Sequence, residues 1–331
     1  MLSRIVLIYF TRPTTTARAG RLGGGSSLIS GYALGFMANY RKCRDFGALV
    51  VATALLAGCG SGGTGSSGNR DTVVAAFYPI AYAAEQIAGD TLDVRNLTPA
   101  GAEPHDLELS PGDVRDVGDA TLALYLGDGF MPGLEAAVKQ RSGRSVDLLA
   151  DQQLRTGGGD GGEAVRDPHV WLDPVRYAAM VRTIGSELGD EAAADRLTRR
   201  LEGLDAEFRR GLATCDRRQI VTSHAAFGYL AARYGLEQVS LEGLSPEAEP
   251  SARGLAHLAD LVTKSGATTV FFETLVSPKL AQTVAREAGV ATAVLNPIEG
   301  LTNDEIATGA DYFSVMRSNL ATLQKALGCT T

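Results

Sequence analysis

The stretch QIVTSHAAFGYLAARYG, residues 219–235, contains one complete strand-to-helix unit. Its apolar start predicts a buried strand that ends in polar residues, and the rest predicts a helix that ends at Gly235. The same alternation runs from TVVAAFYPI (72–80) to the closing helix DYFSVMRSNLATLQKALG (311–328). Strands that alternate with helices at this spacing predict an α/β fold with mainly parallel sheets.

A long helical region, residues 174–213, interrupts this alternation and has a break near Gly189. Its second half carries a single apolar stripe at helical spacing, formed by Leu197, Leu201, Leu204, Phe208 and Leu212. A helical region of this length between two α/β halves predicts two lobes joined by a spine. We therefore expect an N-terminal lobe at 71–173 and a C-terminal lobe at 214–331.

The segment RKCRDFGALVVATALLAGCGSGG, residues 41–63, has the features of a processing signal. A basic start is followed by an apolar run at 46–57, which is too short to span a bilayer as a stable helix. The run closes with LAGC at 56–59, which resembles a bacterial lipobox, whose cysteine is lipidated and becomes the new N-terminus. We therefore expect residues 1–58 to be a signal peptide and Cys59 to carry the lipid.

The residues around this signal complete the expected processing scheme. Residues 1–36 have no role in it, and we expect an over-extended start with Met37 as the true first residue. The Gly/Ser-rich residues 59–70 predict a flexible tether behind the lipidated cysteine. The protein is then expected on the outer face of the cell membrane, held by its N-terminal lipid.

The charge balance argues against polyanionic partners. The whole chain has a net charge of −7, and past residue 58 it holds 24 Lys and Arg against 37 Asp and Glu, a net of about −13. Such an acidic chain is not expected to bind nucleic acid or to be held electrostatically on anionic lipid. It suits a protein that handles cations.

The cysteines that remain after processing point to a disulfide. Cys215 and Cys329 are far apart in sequence and belong to an expected extracytoplasmic chain. In that oxidising compartment we expect them to pair and to tie the C-terminus to the start of the second lobe. Two buried free thiols are the alternative.

Three of the four histidines occupy comparable places in the alternation. His224 follows a strand directly, while His105 (in GAEPHDLELSP) and His169 (in DPHVWLDP) lie in loops that can reach the same sheet edge. Ligands of open α/β sheets bind outside the carboxyl ends of strands. The fourth, His257, falls inside a helix and is expected to be a surface or packing residue.

Three imidazoles and one carboxylate make a closed four-coordinate set for Zn²⁺ or a similar ion. From the residues alone the carboxylate stays open, because Glu299, Glu273 and Glu103 all lie near such an edge, and no local motif such as HExxH is present. Asp106 and Asp173 are expected to orient imidazoles by hydrogen bonding. Asp173, followed by Pro174, also has the residue type of a helix N-cap.

Six stretches of the chain together resemble the zinc/manganese solute-binding lipoproteins of bacterial ABC importers (cluster A-I). They are GAEPHDLELSPGDV, DPHVWLDP, IVTSHAAFGYLAARYGL, SPEAEPS, VFFETLVSPKLAQTVAREAGV and LNPIEGLT. The resemblance covers residues 72–328 in order. It implies two α/β lobes joined by one long rigid helix, with a metal buried between them. The implied ligands are His105, His169, His224 and Glu299.

The resemblance also implies a function. The protein is expected to be a monomeric, non-enzymatic component that captures Zn²⁺ and delivers it to a membrane permease and its ATPase. A histidine at position 224 resembles the zinc-type members, whereas manganese-type members often carry a carboxylate there. The loop GGGDGGEAVRD (157–167) is short, acidic and free of histidine, unlike that of many zinc-specific members. A manganese- or iron-binding role therefore stays an alternative.

Two functions from other classes also remain open. An extracellular zinc hydrolase requires three protein ligands, a metal-bound water and a nearby base. Glu299 is the residue that such an enzyme would use as base rather than as ligand. A surface adhesin is the second alternative, and nothing in the sequence supports or excludes it.

Overall fold

A computed structural model describes residues 71–158, 164–245 and 252–330. The expected signal peptide, the expected lipidation site at Cys59 and the expected tether lie outside the described residues. The strands are β1 (Thr72–Ala75), β2 (Asp93–Asn96), β3 (Leu122–Tyr125), β4 (Arg144–Asp147), β5 (Thr156–Gly158), β6 (Ala164–Arg166), β7 (Gln219–Thr222), β8 (Glu237–Ser240), β9 (Thr269–Phe272) and β10 (Ala291–Val294). The helices are α1 (Tyr78–Ala88), α2 (Pro111–Asp119), α3 (Pro132–Gln140), α4 (Pro174–Leu188), α5 (Glu191–Gly211), α6 (Gly228–Tyr234), α7 (Ala252–Ser265), α8 (Lys279–Ala288), α9 (Asn303–Ala307) and α10 (Tyr312–Leu327).

Two four-stranded sheets, both entirely parallel, form the two lobes. The N-terminal sheet has the order β2-β1-β3-β4 and the C-terminal sheet the order β10-β9-β7-β8. Numbered within its own lobe, each sheet has the order 2-1-3-4, so the two halves share one topology. The predicted α/β fold with parallel sheets and two lobes is confirmed. In each sheet the strand order reverses between the first and third strands, which is where open α/β sheets bind ligands.

The linking region consists of two helices, and only the second is long. α4 ends because Gly189 adopts a left-handed conformation with φ of 73°, and α5 begins where the Asp190 side chain accepts a hydrogen bond from the Ala193 amide. α5 spans 21 residues, and its predicted apolar stripe is buried. α4 packs against α5, and both pack against α1. The rigid connection therefore comes from a packed helix pair.

One apolar core runs through both lobes. It joins Val73 and Leu124 of the N-terminal sheet, Phe208 of α5, and Ile220 and Phe271 of the C-terminal sheet in one contiguous cluster. A smaller cluster packs α7 and α8 against the C-terminal sheet. Because α5 contributes to the shared core along its whole apolar stripe, the two lobes are coupled by packing as well as by the chain.

Buried hydrogen bonds reinforce the seam between the lobes. The indole of Trp171 donates to the Pro297 carbonyl at 2.7 Å, and the Tyr312 hydroxyl donates to the Trp171 carbonyl at 2.6 Å. The structure also joins Cys215 and Cys329 in a disulfide, which ties the end of α10 to the start of the C-terminal lobe. Buried polar groups that are paired in this way hold their elements in one arrangement.

Some short elements were not expected. The predicted loop at 157–167 is instead an antiparallel ribbon, β5 with β6, apart from its tip at 159–163, which lies outside the described residues. Strands β4 and β8 were also missed, since both are half-buried edge strands without apolar alternation. Within the described part of the chain, no helix combines the length and the apolar character needed to cross a bilayer.

Candidate metal centre

The parallel register of β7 and β9 places His224 beside Glu273. Thr222 pairs with Phe271 across the two strands. His224 lies two residues after Thr222, and Glu273 lies two residues after Phe271, so the two side chains are neighbours. The Glu273 Oε1 atom is 2.7 Å from Nδ1 of His224 and also accepts a hydrogen bond from the Ser223 hydroxyl. His224 therefore stands at the strand-order reversal of the C-terminal lobe, with its Nδ1 side held by a carboxylate.

His169 is fixed by the loop that opens α4. The Asp167 Oδ1 atom accepts a hydrogen bond from the His169 amide at 3.0 Å and lies 2.8 Å from Nδ1 of the His169 ring. Val170–Leu172 then form a 3-10 turn, and the predicted N-cap at Asp173 is observed, because its side chain accepts from the Val175 amide at 2.9 Å. The ring is completely buried.

His105 lies in the loop between β2 and α2 and reaches the other lobe. Its Nδ1 atom is 3.2 Å from the hydroxyl of Ser245, and its ring packs edge-on against Phe130 with centroids 4.7 Å apart. Its Nε2 atom has no hydrogen-bond partner among the described residues. Each of the three rings thus contacts an orienting group through Nδ1 and presents Nε2 to the same space.

Glu299 is held by an unusual backbone turn after β10. Ile298 has a φ of 59°, a left-handed conformation that is rare for a β-branched residue. The Asn296 side chain stabilises it by accepting from the Ile298 amide at 2.7 Å, and Asn319 in turn binds the Asn296 backbone. Strain of this kind is retained where it positions a functional group. Here it directs the carboxylate of Glu299, which is completely buried.

The four side chains converge on one point. Oε1 of Glu299 lies 3.5 Å from Nε2 of His105, 3.0 Å from Nε2 of His169 and 3.4 Å from Nε2 of His224. The Nε2 atoms of His169 and His224 are 3.4 Å apart. A tetrahedral ion with ligands at 2.0–2.1 Å separates those ligands by about 3.3 Å. The observed spacing therefore matches a four-coordinate zinc site, and all four ligand atoms lie within 4.8 Å of one another.

The charges of the centre favour a positive species in its middle. Burial raises the pKa of Glu299, but the charge of His224 and the proximity of the three imidazole rings to its carboxylate hold that pKa well below its usual range. Burial lowers the pKa of His224, but the carboxylates of Glu273 and Glu299 hold it well above its ordinary value. A divalent cation satisfies the same carboxylates and displaces the protons from the rings.

The expected orienting roles of Asp106 and Asp173 have to be corrected. Asp106 is exposed to solvent, and the Asp173 carboxylate caps α4 and pairs with Arg233 at 3.1 Å. Asp173 caps α4 instead of orienting an imidazole, because the first amides of α4 are its immediate neighbours in the chain. The groups that contact the rings are Asp167 and Glu273, with Ser245 as a third. His257 is exposed on α7, as predicted.

The structure also distinguishes the three carboxylates that the sequence offered as the fourth ligand. Glu299 faces all three rings, whereas Glu273 contacts the far side of His224 and Glu103 accepts from the His105 amide at 3.2 Å. Burial, followed by the nearby charge of Glu299, raises the pKa of Glu103 to about 9. Two features of the sequence could have identified the orienting carboxylates. Asp167 lies two residues before a histidine, and Glu273 lies at the end of a strand.

A family model described as zinc-uptake complex component A, periplasmic, matches residues 73–326. The chain belongs to this family. The family resemblance predicted from the sequence is confirmed, and the family is one of metal-binding transport proteins rather than of enzymes.

Relatives support zinc as the metal that these proteins handle. Zinc-binding protein AdcA of Streptococcus pyogenes serotype M6 is 36% identical over 283 residues, which are 76% of this chain and 55% of AdcA, so the chain spans about half the length of that relative. The high-affinity zinc uptake system protein ZnuA of Bacillus subtilis (strain 168) is 34% identical over 314 residues, 87% of this chain and 98% of ZnuA. Among solved structures, the Zn(II)-bound ZnuA-like domain of Streptococcus pneumoniae AdcA shows 37% identity and a TM-score of 0.66, and the match covers 78% of this chain and 99% of that domain.

Proposed function

We propose that this protein captures Zn²⁺ outside the cytoplasm and delivers it to the permease of an ABC importer. The observation that carries the proposal is the convergence of three imidazole Nε2 atoms and Oε1 of Glu299 at the spacing of a tetrahedral zinc site. Three neutral imidazoles and one carboxylate favour zinc over Mn²⁺, which prefers oxygen ligands. The zinc-binding and zinc-uptake names of the relatives agree with this choice.

The geometry argues for sequestration rather than catalysis. Catalytic zinc sites keep one position for water or substrate beside three protein ligands. Here Glu299 lies within 3.5 Å of all three Nε2 atoms, so it takes the fourth position itself. Glu299 is then a ligand rather than the free base that a hydrolase requires. The complete burial of His169, His224 and Glu299 fits storage of the ion during transfer.

The anchoring and the partners complete the proposal. We propose that Cys59 carries the lipid, that residues 59–70 tether the folded part to the membrane surface, and that the protein acts as a monomer with a permease and its ATPase. The name zinc-binding lipoprotein, which the Streptococcus pneumoniae relative carries, supports the anchor. The lipobox-like LAGC at 56–59 supports the same position for it.

Native mass spectrometry of protein purified without added metal tests the metal assignment. We expect the wild-type chain to retain one equivalent of zinc and the His224→Ala variant to lose it, because the variant removes a buried ligand. His257→Ala is the matched control, since it removes an exposed imidazole that is outside the centre. Retention of equimolar zinc by His224→Ala contradicts the assignment. Retention of manganese or iron instead of zinc by the wild type supports the alternative metals.

A further inference from the structure

A second group of acidic side chains lies beside the four ligands. Glu103, Glu273 and Glu299 each place a carboxylate oxygen within 4.8 Å of the oxygens of the other two. Glu103 comes from the loop between β2 and α2 in the N-terminal lobe, and the other two come from the loops after β9 and β10 in the C-terminal lobe. The group therefore bridges the two lobes and shares Glu299 with the histidine centre.

The hydrogen bonding of this group is incomplete in the same way at all three residues. In Glu103 and Glu273, Oε1 accepts hydrogen bonds, and in Glu299, Oε1 faces the imidazoles. The Oε2 atom of each is buried and has no partner among the described residues. The Glu273 and Glu299 side chains are only 2% and 0% exposed. Buried carboxylate oxygens normally have a donor, and carboxylates this close together repel one another.

A divalent cation would give the unpartnered oxygens a partner and would remove the repulsion, because it binds carboxylate oxygens and neutralises their charge.

The three residues also differ in burial. Glu103 is half-buried, while Glu273 and Glu299 are buried. Among the four ligands His105, two residues from Glu103, is half-buried as well, so both groups reach towards solvent on the side of the molecule that this loop occupies. An ion held at Glu103 can keep Glu299 as a ligand while it moves between the two positions.

We propose that Glu103, Glu273 and Glu299 form an oxygen-lined transit position, through which a divalent cation passes between solvent and the four-ligand centre. This inference rests on the proposed zinc capture. In this position the ion exchanges water for carboxylate oxygens first and for imidazole nitrogens afterwards. The Glu103 carboxylate lowers the barrier in both directions, so it controls rates rather than equilibrium affinity.

Glu103→Gln tests this role with little disturbance of the loop. Glutamine keeps a side-chain oxygen that can accept from the His105 amide, but unlike Glu103 it cannot give up a proton and bind the passing ion as a carboxylate. We expect the association and dissociation rate constants for Zn²⁺ both to fall about tenfold, with the dissociation constant changing by less than about threefold. Stopped-flow fluorescence of Trp171, the single tryptophan, gives both rates, because its ring centroid lies 5.1 Å from that of His169.

Two further variants sharpen the test. Glu108→Gln removes an exposed carboxylate from the same loop and controls for loss of long-range attraction. Glu103→Asp keeps the carboxylate and is expected to retain faster exchange than Glu103→Gln. The inference is overturned if Glu103→Gln exchanges zinc as fast as Glu108→Gln, or if its dissociation becomes faster, which is the behaviour of an ordinary ligand. Native mass spectrometry of the wild type in parallel separates this outcome from failure of zinc capture itself.

Discussion

The Asp167→Asn substitution tests whether the carboxylate behind His169 sets the strength of the metal centre. Asp167 accepts two hydrogen bonds on one oxygen, one from the His169 amide and one from the His169 ring. Asparagine keeps an oxygen that can serve the amide, so the loop is expected to hold its shape. The variant loses the negative charge that makes the imidazole a stronger ligand and fixes its tautomer.

The size of the effect follows from the burial of this pair. The His169 side chain is fully buried and that of Asp167 is 5% exposed, so the 2.8 Å bond is not weakened by solvent. Loss of such a partner weakens metal binding by about tenfold to a hundredfold, or about 1.4–2.7 kcal/mol. Burial lowers the pKa of His169, but the hydrogen bonds with Asp167 and Glu299 raise it overall. Asp167→Asn thus also reduces proton competition, and the loss of zinc affinity is expected to be larger at high pH than at low pH.

Competition titration with a zinc chelator of known affinity, at two pH values, measures this effect. Asp106→Asn is the matched control, because it removes an exposed carboxylate next to His105 that does not contact an imidazole. We expect the control to bind zinc within about twofold of the wild type, as surface substitutions usually do. Equal affinities for Asp167→Asn and Asp106→Asn refute the orienting role of Asp167.

Three other predictions concern pH, the core and the disulfide. Zinc affinity is expected to keep rising between about pH 6 and 8, because the raised pKa of His224 makes protons compete with the ion in that range; a flat profile in calorimetric titrations contradicts this. Phe208→Ala is expected to lower the free energy of unfolding by about 3–5 kcal/mol in urea titrations, since it empties a fully buried position on α5. Replacing both Cys215 and Cys329 by serine is expected to cost about 4–5 kcal/mol in the same assay while leaving zinc affinity unchanged, because the disulfide closes a loop of 114 residues and neither cysteine is among the groups that contact the ligands.

The fold was predictable because its strongest signals are local. Buried strands such as β1 and β7 are apolar runs, and helix starts such as Ser110 and Asp173 carry side chains that cap their own amides. The weak edge strands β4 and β8 carry no such signal, because their partly exposed faces tolerate polar residues.

The place of His224 was predictable from topology, and the convergence of the three histidines was implied by the family resemblance, whereas their orienting partners were not predictable. A histidine after a parallel strand must lie at the carboxyl edge of its sheet, which places His224 without any knowledge of its neighbours. Its partner Glu273 depends on the register of β7 against β9, which a single sequence does not reveal. For Asp173, cap and orienting group were both compatible with the sequence. The proximity of the α4 amides and of Arg233 decides for the cap.

The core shared by both lobes has a consequence for the fate of the protein when metal is scarce. Because the ligands come from both lobes and α5 unites the packing, the lobes are expected to unfold together, and bound ion stabilises the whole of this core rather than one loop. Free zinc at about a thousand times its dissociation constant adds about 4.1 kcal/mol to the folded state. Zinc starvation is therefore expected to raise the fraction of opened chains that proteases can cleave, which would couple the lifetime of the protein to the supply of the metal that it binds.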